Sequence, residues 1–255
     1  MAEQLQLLGA EIEVICPLPN YPHGKILKGY GFKLFKIERI NNIKLFRFFI
    51  FPSISKAFIT RIFSMFSFAF SLWLYVFNYK SIKKTDLVIV QHSPLLISFS
   101  AIVLFKKLFR KKIILNVSDI WPLSALELGV IKKGKIYNLL EFIQKFNYNN
   151  SDSFIGQSKE ILSQISNYNN KSKFLYRNIP KFIKPNILVK SKSTKIVYAG
   201  LLGVAQGVFS IIENINFRSI NIEFHIYGDG NEKDEIKKFV SENTDCNIYI
   251  NDSLP

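Results

Sequence analysis

Residues 112–122 read Lys-Ile-Ile-Leu-Asn-Val-Ser-Asp-Ile-Trp-Pro. The run over 112–117 is largely apolar and short enough for a strand, and turn-forming residues follow it at once. Helical patterns flank it, near 94–109 before and 134–148 after. A strand held between helices is the repeating unit of a parallel sheet covered on both faces.

The alternation continues in both directions. Toward the amino end, 86–91 reads as a strand, 56–79 as a helix, and 45–50 as a strand ending at Phe51-Pro52. Before these, 11–17 reads as a strand and 2–9 as the end of a helix stopped by Gly9. Toward the carboxyl end, 153–157 and 173–176 read as strands around a helix at 158–166. Residues 179–194 carry two prolines, four lysines and little periodicity, which predicts a linker. Beyond it, strand 195–199 runs into Gly200, helix 208–214 follows, and strand 221–227 runs into Gly228. Helix 231–241 and strand 246–250 complete the pattern. The expectation is an α/β chain of two Rossmann-like parallel-sheet domains, 1–178 and 195–255, the second incomplete.

Composition narrows the function. The 255 residues are 48% hydrophobic and 21% charged, which predicts a packed core and excludes global disorder. The excess of Phe, Ile, Lys and Asn is also what an AT-rich genome produces. A formal net charge of +15 favours polyanions such as nucleic acid, anionic lipid or phosphate-bearing substrates. Zinc-finger spacing, an RNP-like run and a helix-turn-helix pattern are all missing, so no nucleic-acid partner is expected. Lys106, Lys107, Arg110, Lys111 and Lys112 form the one basic cluster, read either as a solvated rim or as a phosphate or membrane contact. Cys16 and Cys246 are far apart, and His23, His92 and His225 lack metal-ligand spacing. No metal or disulfide scaffold is expected, and a reducing compartment fits.

From Ile62 to Tyr79 the sequence is uncharged and rich in Phe. Ser64, Ser67, Ser71, Tyr75 and Asn78 fall on one helical stripe. A core helix against the sheet and a helix pressed into one leaflet both fit, the second helped by Lys56, Arg61, Lys80, Lys83 and Lys84. Spanning a membrane would divide the strands of one sheet between its two sides.

In open parallel sheets ligands sit beyond the carboxyl ends of the strands, and the unusual motifs fall there. They are Pro-Asn-Tyr-Pro-His-Gly at 19–24, Gln-His-Ser-Pro at 91–94, and Ser-Asp-Ile-Trp-Pro at 118–122 with Glu-Leu-Gly at 127–129. In the second unit they are Tyr-Ala-Gly at 198–200, Gly-Val-Ala-Gln-Gly at 203–207 and Gly-Asp-Gly at 228–230. Each also has a plain structural account. Gly-Asp-Gly is a common turn, Asp119 can cap a turn before Pro122, and His92 can be a satisfied histidine at a strand end. A nicotinamide-type Gly-x-Gly-x-x-Gly and a Gly-Lys-Ser/Thr phosphate loop are both missing.

In this order the motifs resemble family 4 retaining glycosyltransferases of the GT-B fold, especially those building bacterial O-antigen, capsule and lipopolysaccharide. The resemblance implies transfer from a nucleotide-diphosphate sugar, without a cofactor or metal, to a polyprenyl-diphosphate-linked saccharide. The place of such transfer is the cytoplasmic face of the plasma membrane, an anionic surface. It places Gly200, Gly203, Gln206, Gly207, Gly228, Asp229 and Gly230 on the donor. Asp119 and His92 are placed at the reacting sugar, and Asn20, Tyr21, His23, Trp121 and Glu127 on the acceptor side. Against the family pattern, a first strand and its glycine-rich loop are missing, and two donor-holding glutamates fall beyond Pro255. Leu201, Val204 and Gln206 stand in a loop where basic residues are common. A transferase shortened at both ends is therefore expected, with an inactive membrane-associated remnant of the same fold as the second reading.

Overall fold

The computed structural model describes residues 1–20, 24–31, 33–53, 58–177 and 193–252. Two compact units divide the chain, Met1–Ile179 and Pro180–Pro255. The expected linker lies almost wholly outside the described residues.

The first unit opens with a short helix α1 (Ala2–Leu7) and strand β1 (Glu13–Pro17). A hairpin of β2 (Phe35–Ile40) and β3 (Ile43–Phe48) follows, and β3 pairs parallel with β1. Asn41 and Asn42 both adopt positive φ, 50° and 64°, which suits the two-residue turn that matches strand twist. Strand β2 is not among the expected strands, although Phe-Lys-Ile-Glu alternates as a half-buried strand does. Its apolar side chains point outward, while Glu38 turns inward to pair with Arg47 and accept from Tyr30 Oη at 2.8 Å.

The helix expected over 56–79 is three segments. They are α2 (Phe58–Ser71), a 3₁₀ stretch over Leu72–Asn78, and α3 (Tyr79–Lys84). At the first break Ser71 Oγ donates to Phe49 O at 2.6 Å and to Phe68 O at 3.1 Å, drawing the chain onto the sheet. Phe68, Ala69, Leu72, Tyr75 and Ile82 are buried on the inner side. The outer side carries Phe63, Phe66, Phe70, Trp73 and Phe77, all exposed, with Phe70 at 82% and Phe77 at 86%. Lys80, Lys83 and Lys84 continue this ridge into solvent.

Four further parallel strands run in the order β4 (Leu87–Gln91), β5 (Lys112–Val117), β6 (Ser153–Gly156), β7 (Lys173–Leu175). Helix α4 (Leu95–Ile102), widening into a π turn over Val103–Leu108, links β4 to β5. Helices α5 (Leu123–Glu127) and α6 (Lys135–Asn150) link β5 to β6, and α7 (Lys159–Ser166) leads to β7. Ile113, Leu115 and Val117 alternate onto one face of β5 and are fully buried. They join Phe46, Tyr75, Ile102, Leu104, Tyr148 and Phe154 in a single core.

In the second unit three strands, β8 (Thr194–Leu201), β9 (Ile222–Asp229) and β10 (Ile248–Asn251), run parallel in the order β10-β9-β8. Helices α8 (Val208–Asn214) and α9 (Lys233–Glu242) cover one face. Leu202, Val208, Ile212, Phe224, Ile226 and Ile236 form the core between them. The register puts Val197, His225 and Tyr249 in one row on the opposite face, with the His225 and Tyr249 rings stacked at 4.7 Å.

Candidate functional site

In the first unit the carboxyl ends of β4, β5 and β6 carry a polar chain. Asn116 Nδ2 donates to Gln91 Oε1 at 2.7 Å, and Gln91 Nε2 donates to Ser118 Oγ at 2.7 Å. Gln157 Nε2, just past β6, reaches the same hydroxyl at 3.1 Å. The chain thus ties together the three strand ends from which the loops depart. None of these four is among the site residues expected from the sequence. Gln91 and Ser118 stand in two of the quoted motifs, but their link through Asn116 depends on the register that pairs Gln91 with Asn116.

Asp119 follows Ser118 and is exposed. Trp121 is half-buried, and Pro122 caps the start of α5, whose last residue, Glu127, is exposed. Gly129 ends that turn at φ 68°, in the left-handed region that favours glycine. Asn20 donates through Nδ2 to Leu18 O at 2.9 Å, a local turn contact. Tyr21 and His23 lie outside the described residues.

His92 sits one residue beyond β4 with 0% of its surface exposed. Its backbone N–H donates to Asn116 O at 2.9 Å, and its ring lies 5.0 Å from that of Tyr148. Among the described residues neither ring nitrogen has a hydrogen-bond partner. Burial penalises the imidazolium and pulls the pKa down to about 3, so the ring is neutral at physiological pH. Below it, Ser98 Oγ donates to His92 O at 2.9 Å, and Asn147 Nδ2 donates to Ser98 Oγ at 2.8 Å. The ring is enclosed by the sheet, α4 and α6, whereas Asp119 faces solvent.

The second unit brings its seven candidates to one end of its sheet. Gly200 and Gly228 are register partners on β8 and β9. A Cβ on Gly228 would lie 2.0 Å from Gly200 O, and one on Gly230 would lie 2.1 Å from Leu202 O. Glycine at both is thus required by the close approach of two backbones. Leu202 is clamped from both sides, its N–H donating to Asp229 O at 2.9 Å and its O accepting from Glu232 N at 3.0 Å. Asp229 Oδ1 accepts from Gly230 N at 2.8 Å and closes the turn.

Beyond Leu202, Gly203 opens a single 3₁₀ turn over Val204–Gln206, and Gly207, at φ 63°, begins α8. The start of α8 leaves amides of its first turn without intrahelical partners. Such amides favour an anionic group.

Among the clustered basic residues Lys106 pairs with Asp152 at 2.5 Å, Lys111 Nζ donates to Lys83 O at 2.8 Å, and Lys107 Nζ lies over the Phe146 ring at 5.9 Å. Among the described residues no three His, Cys, Asp or Glu side chains gather as metal ligands would. A shallow hollow lined by Val130, Ile131, Lys132, Gly134, Lys135 and Ile136 includes none of the candidates.

No family model matches the chain, and no curated protein sequence matches it. Solved structures do. Sucrose-phosphate synthase from Thermosynechococcus elongatus is similar over 99% of this chain and 63% of its own, with a TM-score of 0.64 and 12% identity. Arabidopsis thaliana UGT89C1, solved with UDP-L-rhamnose, is similar over 99% of this chain and 64% of its own, with a TM-score of 0.52 and 10% identity. This chain therefore spans less than two thirds of either neighbour's length. At such identity the likeness shows the fold, which is GT-B-like and built of Rossmann-like parallel-sheet units. The second unit presents three described strands, half of the six in the doubly wound pattern.

Proposed function

We propose that this chain is part of a glycosyltransferase that binds a nucleotide-diphosphate sugar on its second unit. The observation that carries this reading is the glycine set at the carboxyl ends of β8 and β9. Gly228 and Gly230 let the strand ends close, and Gly203 and Gly207 flank a single 3₁₀ turn ahead of α8. The donor diphosphate would lie against that loop, and the amides at the start of α8 would stabilise the charge that grows on it as the sugar departs. No metal is needed in this scheme. A UDP-sugar in the UGT89C1 structure, which shares the fold, agrees with such a donor.

The acceptor we propose is a saccharide on a polyprenyl diphosphate at the cytoplasmic face of the plasma membrane, as in O-antigen, capsule or lipopolysaccharide assembly. The net charge of +15 and the exposed aromatic ridge above Lys80, Lys83 and Lys84 support a chain lying on an anionic leaflet. The ridge segment, Ile62–Lys84, is also long and apolar enough to cross a membrane. Burial of Tyr75 and Ile82 against the sheet favours the surface position. Asp119, exposed beyond β5, is the first unit's candidate for contact with the reacting sugar, with Trp121 and Glu127 beside it in sequence on the acceptor side.

A second reading, a binding protein of the same fold without transfer activity, is favoured by the complete enclosure of His92. Calorimetric titration of the chain with UDP-, GDP- and dTDP-sugars tests the first step common to both. Binding of one donor, lost in Gly207→Val, is the expected result. Silence across the whole panel would sink the donor assignment, and binding without turnover on a lipid-linked acceptor would favour the second reading.

A further inference from the structure

The connection from β5 to α6 leaves an open hollow of about 440 Å³ beside the start of α6, within the size range of small-ligand sites. Of its lining, Ile131 is buried, whereas Val130 and Ile136 are exposed. Lys132 and Lys135 line it too, with Lys133 between them in sequence. The apolar surface continues beyond the hollow. Ile136, Leu139 and Phe142 are 58%, 59% and 63% exposed and three residues apart, so they form one stripe along α6, about 9 Å long. The helix buries a different side, through Ile143, Gln144, Asn147 and Tyr148. Single exposed apolar residues are ordinary, but a contiguous run opening from a hollow marks a binding surface.

Charge on this feature has one sign. Residues 128–140 contain three lysines and no acid. Among the described residues Lys132, Lys133 and Lys135 make no hydrogen bond or ion pair. Glu141, the one acid of α6, is taken up by Lys145 at 2.9 Å, and Glu127 ends α5 on the other side. Lysine stems cover apolar walls while their ammonium groups stay in water. The hollow thus offers cations at its mouth and carbon within, and the stripe offers carbon beyond. A free anion would use only the lysines, and an uncharged apolar partner only the stripe. An amphiphile with a phosphate head uses both.

We infer that the hollow and the α6 stripe hold the diphosphate and the first part of the chain of a polyprenyl diphosphate. The inference rests on the acceptor proposed above and gives its lipid part a place. The connection that carries the lysines also carries Asp119, Trp121 and Glu127, and it leaves the sheet at the carboxyl end of β5. A head held at Lys132, Lys133 and Lys135 keeps the attached saccharide at that end. The chain follows α6 away from it, because α6 returns toward the amino ends to enter β6 parallel to β5. Phe99 of α4 meets Phe146 of α6 with ring centres 4.8 Å apart, and Ser100 Oγ of α4 donates to Ala69 O of α2 at 2.6 Å. The stripe therefore belongs to the same helical layer as the aromatic ridge on α2.

Equilibrium dialysis of the whole 255-residue chain tests this with farnesyl diphosphate, kept below its aggregation concentration, beside inorganic pyrophosphate and farnesol. Farnesyl diphosphate is expected to bind, and each half-ligand to bind at least about tenfold more weakly. A triple variant, Lys132→Ser with Lys133→Ser and Lys135→Ser, should weaken binding at least about tenfold, and so should Leu139→Ser with Phe142→Ser. All five side chains are exposed, so both variants should melt as the wild type does. Phe70→Ser with Phe77→Ser should leave binding unchanged. Pyrophosphate or farnesol binding as tightly as farnesyl diphosphate, undiminished binding in either α6 variant, an equal loss in the ridge variant, or no binding would each overturn the inference. So would a dimer broken by the Leu139 and Phe142 changes, since a second copy would then hold the stripe. Failure of the acceptor reading looks different. Farnesyl diphosphate bound at α6, in a chain that binds a UDP-sugar but transfers nothing to a lipid-linked saccharide, keeps this site and removes that reading.

Discussion

Gly228 lacks a Cβ that would fall 2.0 Å from the carbonyl oxygen of its register partner, Gly200. No side-chain rearrangement relieves that contact, because both partners are backbone. Replacing Gly228 by alanine must part the carboxyl ends of β8 and β9, and overpacking of this kind costs about 1–3 kcal/mol. Urea denaturation followed through exchange of the β9 amides should show a loss near the upper end of that range. Gly31→Ala, where an added Cβ meets nothing within 4 Å, should change stability by less than about 0.5 kcal/mol.

The buried imidazole of His92 gives stability a defined pH dependence. Burial lowers its pKa from the ordinary 6.5 to about 3, so between those values the unfolded chain binds a proton that the folded chain refuses. Stability is then full above about pH 6.5 and falls as pH drops toward 3, with a slope approaching about 1.4 kcal/mol per pH unit. Comparing denaturation of wild type and His92→Phe at pH 7 and pH 5 checks this. The part of the slope belonging to His92 should vanish in the variant.

Glu13 joins β1 to the helical layer by accepting from Ser81 and Tyr75, with Lys44 nearby. Burial alone would raise its pKa, but these hydrogen bonds and the Lys44 charge outweigh it and hold the pKa below the usual value. Its contribution is therefore present above the ordinary carboxylate pKa and lost as pH falls through the lowered one. A double-mutant cycle of Glu13→Gln and Tyr75→Phe should give a coupling of about 0.5–1.5 kcal/mol. Additive effects would show that the contact contributes nothing.

Phe70 and Phe77 are the two most exposed rings of the helical ridge. Changing both to serine should leave the melting temperature within about 2 °C, since neither ring is in the core. Retention on phosphatidylglycerol vesicles at low salt should fall at least about tenfold, as expected when two inserted rings are removed. Trp73 is a poorer choice for this experiment, because its Nε1 donates to the buried Ser100 Oγ at 3.0 Å. A variant that melts early yet still binds vesicles would place the ridge in the fold rather than on the lipid.

Much of the fold was legible in the sequence. Strands β5 and β9 are short apolar runs that end in turn residues, and burial on at least one of their faces makes such runs unavoidable; β8 shows the same apolar run although it is exposed along nearly its whole length. Which face of β2 turns inward was hidden, because Lys36, Glu38 and Arg47 satisfy one another on the partly covered face and leave its apolar residues outward. The break after Ser71 was hidden too, since it depends on Phe49 O, which is distant in sequence. For the candidate site, the glycines announced themselves by spacing, and their necessity is a matter of strand register. Whether His92 faces a substrate or a core cannot be seen in Gln-His-Ser-Pro, because enclosure depends on Tyr148, contributed by α6.

The clamp on Leu202 has a dynamic corollary. With its amide and carbonyl both held by the β9 turn, Leu202 stays with the sheet whatever occurs beyond it. Gly207, in the left-handed region, lies at the other end of the loop. The turn between Gly203 and Gly207 is closed by Gln206 N–H donating to Gly203 O at 3.0 Å and Gly207 N–H donating to Val204 O at 3.2 Å, so rotation at either glycine would carry 204–206 as one piece. The loop is a single closed turn between two glycines, anchored to the sheet at Leu202.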